Sequence, residues 1–285
     1  MAASPRPGEA RLRDALHVLP GMEGVEGAGV RVRRYIGSPM LDHLDPFLLL
    51  DEFRSADPRD YEAGFPTHPH RGFQTLTYML EGKFRHEDST GSKGVLAGGG
   101  LQWMNAGSGV LHSEMPAMKE GRLWGYQLWL NAPAREKMGD PFYRDFKAKE
   151  VRGEEVRERL LAGGGQENHA HYPVLYEDVR LKQGASFRRE VPKEMNGFLA
   201  VADGEISLAP ASTRVPARRI AVLGPGDAVS FEAARDSTVL LAAAPPLREP
   251  VARWGPFVMN TPQELGWAVE DYLAGKLVKK RAENR

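Results

Sequence analysis

The sequence predicts an all-β protein built around a small antiparallel barrel or jelly roll. Two observations carry that expectation. First, short runs rich in β-formers, such as Thr75-Leu76-Thr77-Tyr78-Met79-Leu80, alternate with glycine turns at Glu81-Gly82, Gly98-Gly99-Gly100 and Asn105-Ala106-Gly107-Ser108-Gly109. Second, two pairs of candidate metal ligands, His68 with His70 and His112 with Glu114, stand near the ends of the stretch from Phe65 to Met115. Each pair is spaced i, i+2, which on a strand puts both side chains on one face. Two adjacent strands carrying such pairs inward bring three imidazoles and one carboxylate around one point, a mixed N/O metal site.

A single His-x-His is common by chance, and a histidine on a strand is more often a hydrogen-bonded core or surface residue. The intervening sequence raises the case for a site. Lys83-Phe84-Arg85-His86-Glu87 alternates weakly as a strand, Asp88-Ser89-Thr90-Gly91-Ser92 reads as a loop, and Leu101-Gln102-Trp103-Met104 as another strand. Ligands from distant strands meet inside such a barrel.

His-x-His, a Gly-bounded strand and then Gly-x-x-His is a pattern that resembles the cupin superfamily. The wording is similar to the pirin family within it: Leu44-Asp45-Pro46-Phe47-Leu48-Leu49-Leu50-Asp51-Glu52-Phe53, His68-Pro69-His70-Arg71-Gly72-Phe73, Gln102-Trp103-Met104, His112-Ser113-Glu114-Met115-Pro116 and Gly255-Pro256-Phe257-Val258-Met259-Asn260-Thr261. The resemblance spans about residues 30–278. It implies two tandem cupin (antiparallel jelly-roll) barrels, with iron in the first held by His68, His70, His112 and Glu114. Many cupins place a glutamate shortly after the histidine pair, where this chain has Gln74. Glu114 keeps the set complete, and Gln74 is expected to alter hydrogen bonding beside the metal.

The 285 residues suit one or two domains. A 27% charged and 41% apolar composition suits a globular protein with a sizeable core. With 38 basic and 38 acidic residues, nothing draws the chain as a whole to nucleic acid or anionic membranes. The absence of cysteine excludes disulfides, thiolate catalysis and Cys-based zinc sites. Residues 1–29, rich in Pro, Gly and charge, lack the apolar core of a signal peptide and read as a partly mobile segment; Ala10 to His17 admits a helical turn. No run is long enough to span a bilayer. The expected home is the cytoplasm and the expected state a monomer.

Residues 30–135 form the expected first, metal-binding barrel. Val30 to Ile36 alternates as a half-exposed strand, its arginines on the solvent face. Asp51 and Glu52 are expected to cap or form ion pairs at a strand end. In Arg122 to Leu130, Trp124, Tyr126 and Leu128 share one face while Gln127 and Trp129 share the other. Residues 136–260 form the expected second barrel. Glu154 to Leu161 has helix propensity, but the glycines from Gly163 and the resemblance favour an edge strand. His169 and His171 form a second His-x-His that no ligand pair answers downstream, so they read as a surface coincidence. A faded internal repeat sets Gly204 on Gly82 and Gly226 on Gly100. It places Glu190 and Pro192 where His68 and His70 stand, and Thr238 and Leu240 where His112 and Glu114 stand, so the second barrel has lost its metal set. Residues 261–285 hold a helix and tail. Thr261-Pro262-Gln263-Glu264 is a capping box, Leu265, Ala268, Val269, Tyr272 and Leu273 form an apolar face, and Gly275 caps the end. Lys279-Lys280-Arg281 reads as a solvated tail.

Three neutral histidines and one carboxylate leave an octahedral ion open positions for water, oxygen or a chelating substrate. The resemblance implies Fe(II); residue chemistry alone admits Mn, Ni, Cu or Zn. It also implies a quercetin 2,3-dioxygenase activity, with dioxygen and a flavonol as reactants and Glu114 as catalytic base for the substrate 3-hydroxyl. His86, Gln74 and Met104 are candidates to line the cavity. The alternative is a non-enzymatic, iron-dependent regulator that binds a transcription factor or metabolic enzyme.

Overall fold

A computed structural model describes residues 10–163 and 170–279. His169, Lys280 and Arg281 lie outside the described residues. The chain forms two compact units, one from the described residues up to 21 with 149–163 and 172–246, the other from 22–148, 170–171 and 247–279. Among the described residues the ladders between strands are antiparallel, as the glycine-punctuated pattern predicts, and parallel pairing is confined to isolated bridges such as Arg71 with Phe257.

The unit that holds the two ligand pairs has two sheets. The larger runs in the order Phe142–Lys147, Gly100–Asn105, Phe73–Glu81, Leu123–Asn131, Phe47–Ser55, Val30–Ile36 and Met22–Glu26. The smaller runs Phe65–His70, Val110–Pro116, Lys83–Asp88 and Lys93–Ala97. On Leu123–Asn131 the face carrying Trp124, Tyr126 and Leu128 is buried. Phe53, Met79, Phe84 and Leu96 form one apolar cluster of this unit.

The turn at Arg71-Gly72 is tightly constrained. Gly72 has φ +86°, and a Cβ there would run into the carbonyl of Val258. Buried Lys137 donates to the carbonyls of Gly72 at 2.7 Å and Val258 at 3.0 Å and to Asn131 Oδ1 at 2.6 Å, using all three ammonium protons.

The helix Pro262–Leu273 begins with the predicted capping box, Thr261 Oγ1 accepting from the Glu264 N–H at 3.2 Å and Glu264 Oε2 from the Thr261 N–H at 2.9 Å. It packs through Leu265, Ala268 and Val269 against Phe257, Leu111 and Leu277. Leu273 was expected on that face but is 78% exposed, because the helix ends there and Ala274 and Gly275 turn the chain.

In the other unit a nine-stranded sheet surrounds a core that includes Val179, Phe187, Leu199, Ile206, Phe231 and Leu241. Ala15–Pro20 pairs with Arg219–Leu223 in this sheet, so Ala10 to His17 is not a helical turn. Sheet pairing decided against local helix propensity there. Val156–Ala162 is a strand, as expected. No helix among the described residues is long and apolar enough to cross a membrane.

Candidate metal centre

The smaller sheet brings the predicted ligands together through its register. Strand Val110–Pro116 lies between Phe65–His70 and Lys83–Asp88, with His112 opposite His68 on one side and Asp88 on the other. The ligand atoms of His68, His70 and His112 lie within 4.8 Å of one another. His68 Nε2 is 3.0 Å from His70 Nε2 and 2.9 Å from His112 Nε2. Donor atoms about 2.1 Å from one ion stand about 3.0 Å apart in an octahedral set and about 3.4 Å apart in a tetrahedral one. The observed spacing fits the octahedral set.

The remaining ring nitrogens support this fit. His68 Nδ1 donates to the Pro66 carbonyl at 2.8 Å and His70 Nδ1 to the Pro256 carbonyl at 3.3 Å. A proton on Nδ1 leaves Nε2 bare in a neutral ring, the tautomer a metal needs. Burial holds His70 well below the usual imidazole range, helped by neighbouring His68. Burial does the same for His112, followed by the charges of His70, His68 and His86. Bare lone pairs that converge this closely repel unless a cation or proton lies between them.

Glu114 occupies a different part of the site. Between His112 and Glu114 the register against Phe65–His70 slips, so that Glu114 stands opposite Phe65. Its carboxylate groups with His86 and His112, and their ligand atoms also lie within 4.8 Å of one another. Glu114 Oε1 accepts from Thr77 Oγ1 at 3.0 Å and Oε2 from Gln127 Nε2 at 2.8 Å. Both donors come from the larger sheet.

A cavity of about 600 Å3 adjoins these residues; His68, His70, Gln127, Trp129, Arg34 and Arg253 are among its lining. Arg34 was expected on the solvent face, yet its guanidinium is partly buried here and forms a bidentate pair with Asp51 at 2.9 and 2.6 Å. Asp51 thereby forms the expected ion pair, but from the middle of Phe47–Ser55 and not from a strand end, and its neighbour Glu52 accepts from Tyr35 Oη and Trp124 Nε1 instead. Arg253 lies over the Trp129 ring at 4.9 Å.

Of the three proposed cavity residues, none lines that space. Gln74 is a correction of face: its Oε1 accepts from Trp103 Nε1 at 2.8 Å, and Thr75 and Thr77 occupy the alternate side of the strand. Met104 packs with Ala106, Val110 and Tyr143. His86 sits behind His112, with their Nδ1 atoms 3.5 Å apart. Gln127 and Trp129 were missed as site residues, although their shared face, opposite the apolar one, was legible. His171 lies near Glu136 at 3.7 Å, away from the ligand cluster. Among the described residues, no ligand cluster of this kind occurs in the other unit.

The Pirin family profile matches residues 29–130, and that of the Pirin C-terminal cupin domain matches residues 176–278. A pirin-like protein of Caulobacter vibrioides is 43% identical over 93% of this chain and 99% of its own. Human pirin is 41% identical, covering 92% of each chain. A crystal structure named quercetin 2,3-dioxygenase from Acinetobacter baumannii superposes with a TM-score of 0.86 at 29% identity, covering 94% of this chain and 99% of that one. The paired barrels, the histidine motifs and these likenesses converge: the chain belongs to the pirin family of double-cupin proteins.

Proposed function

We propose that the protein is a metal-dependent oxygenase of the quercetin 2,3-dioxygenase kind, with Fe(II) held by His68, His70, His112 and Glu114. The convergence of three imidazole Nε2 atoms beside a cavity large enough for a flat polyphenol carries this reading. The likeness to the Acinetobacter structure supports the substrate class. Bound iron would supply Lewis acidity and one-electron chemistry toward dioxygen.

The chain's own residues have separate tasks. Trp129, Leu49 and Phe65 offer apolar walls to an aromatic ring system, while Arg34 and Arg253 offer positive charge to phenolic oxygens. Thr77 and Gln127 orient the Glu114 carboxylate through one hydrogen bond to each oxygen. A carboxylate has about four lone-pair sites, so acceptor capacity remains for the substrate 3-hydroxyl proton. The overall reaction consumes one dioxygen per flavonol, breaks both ring bonds to C3, leaves one oxygen atom on C2 and one on C4, and releases C3 with its own oxygen as carbon monoxide.

The test is oxygen uptake and carbon monoxide release by iron-reconstituted protein supplied with quercetin. Metal-dependent uptake that disappears in His112→Ala is expected. No uptake by protein carrying about one iron per chain would overturn the oxygenase reading and favour the iron-dependent regulator.

A further inference from the structure

We propose that His86, oriented by Asp88, is a positioning residue that accepts the Nδ1 proton His112 carries when its Nε2 binds metal. This rests on the metal reading of His68, His70 and His112 and assigns His86 a place outside the ligand set. The observation behind it is a row of buried groups, Asp88, His86 and His112, on adjacent strands. The side chains of His86 and Asp88 are each 1% exposed.

The direction of the row follows from proton bookkeeping. Asp88 Oδ1 accepts from the Thr90 N–H at 2.8 Å, the Thr90 hydroxyl at 2.6 Å and the Ser92 N–H at 3.2 Å. Asp88 Oδ2 lies 3.0 Å from His86 Nε2. A carboxylate surrounded by donors acts as an acceptor, so His86 must carry its proton on Nε2. A neutral His86 then presents a bare Nδ1 toward His112 Nδ1 at 3.5 Å. Two bare nitrogens facing each other repel, whereas a proton on His112 Nδ1 removes the conflict. That proton leaves His112 Nε2 bare, facing His68 and His70.

The competing tautomer is visible too. With no cation present, a proton on His112 Nε2 would point at the bare His68 Nε2, 2.9 Å away; a bound cation takes that space and leaves the proton to Nδ1. Among the described residues, no other hydrogen-bond partner is recorded for His112 Nδ1. At 3.5 Å the contact is longer than an ordinary hydrogen bond, so it biases the equilibrium and does not lock it. Ring orientation is set from the other side. Tyr143 stacks on His86 with centroids 4.3 Å apart and planes 25° apart. The Tyr143 hydroxyl donates to Asp145 at 2.7 Å and accepts from Gln102 at 2.9 Å, which fixes that ring in turn. The arrangement follows the general rule that a ligating histidine is oriented through its other nitrogen.

Two measurements test this. In zinc-loaded protein with 15N-labelled histidine, long-range proton–nitrogen spectra should show His112 protonated at Nδ1 and His86 at Nε2, with His86 Nδ1 bare. Chelator competition should show iron affinity reduced about 10–100-fold in His86→Phe, which keeps an aromatic ring but offers no acceptor. His86→Asn, whose amide oxygen can stand where His86 Nδ1 stands and accept from His112 Nδ1, should recover most of that loss. A purely structural role would not distinguish these variants at equal metal-free stability. His86 protonated at Nδ1 in the zinc-loaded wild type, wild-type affinity in His86→Phe, or equal losses in both variants would overturn the proposal. So would two metals per chain with His86 required for the second. If His86→Phe does not fold, the spectra of the wild type decide alone. If the wild type binds no metal, the metal reading fails; metal bound with His86 protonated at Nδ1 means that the His86 role alone fails.

Discussion

The side-chain amide of Gln127 donates to Glu114 Oε2 at 2.8 Å, joining a strand of the larger sheet to the acidic residue of the smaller one. Thr77 holds the other oxygen at 3.0 Å. This pairing makes Glu114→Gln a clean substitution. The new amide can turn its oxygen to the Gln127 donor and its nitrogen to the Thr77 hydroxyl, which also accepts. Shape and hydrogen bonds survive while charge and basicity go. Metal affinity is expected to fall about 10-fold or more, in line with losses from substitutions around metal ligands. Quercetin-dependent oxygen uptake per bound metal should fall further. Wild-type turnover per metal in Glu114→Gln would show that Glu114 is not the base.

Acidification should unfold the metal-free protein through the same site. Burial holds His70 and His112 neutral, well below the usual imidazole range. In the unfolded chain they take up protons as pH falls through about 6.5. The unfolded state therefore binds more protons below that pH, and stability rises with pH there and is lost on acidification. Each such group contributes up to about 1.4 kcal/mol per pH unit. Urea unfolding of metal-free protein at pH 7.5, 6 and 5 should show this slope, and His70→Asn should reduce it. An unchanged slope in that variant would remove His70 as a source.

Arg71, next to the first ligand pair, is expected to anchor the C-terminal helix. Its side chain is 2% exposed and reaches the Ser108 carbonyl at 2.6 Å and the Asp271 carboxylate at 2.8 Å. Asp271→Asn removes the charge that compensates a buried guanidinium. Complete loss of a partner from a buried pair costs about 3–5 kcal/mol. Asp271 is 33% exposed, so solvent screening reduces the expected loss to about 1–2 kcal/mol. Relief of an acidic side chain near the helix C-terminus opposes this by about 0.3–1 kcal/mol, too little to reverse the sign. Denaturant unfolding should register a lower midpoint in Asp271→Asn. Equal or greater stability would show that the pair does not anchor the helix.

The amino-acid order alone shows the strand alternation, the two ligand pairs at i, i+2 spacing and the start of the helix at Thr261. These are local properties, written in the geometry of a strand and the hydrogen bonds of one helical turn. It also separated Gln127 and Trp129 from the apolar face of their strand. It did not reveal which strand that face meets, and therefore not that Gln127 holds Glu114. The misplacement of Gln74 has the same origin: alternation defines two faces, but only pairing with neighbouring strands decides which one turns toward the ligands. Arg34 reads as a solvent residue until Asp51, seventeen residues away, draws it into the cavity wall. The slip between His112 and Glu114 and the contact from Asp88 through His86 to His112 were likewise decided by tertiary structure. Register and long-range hydrogen bonds depend on elements far apart in the chain, and a local pattern carries no record of them.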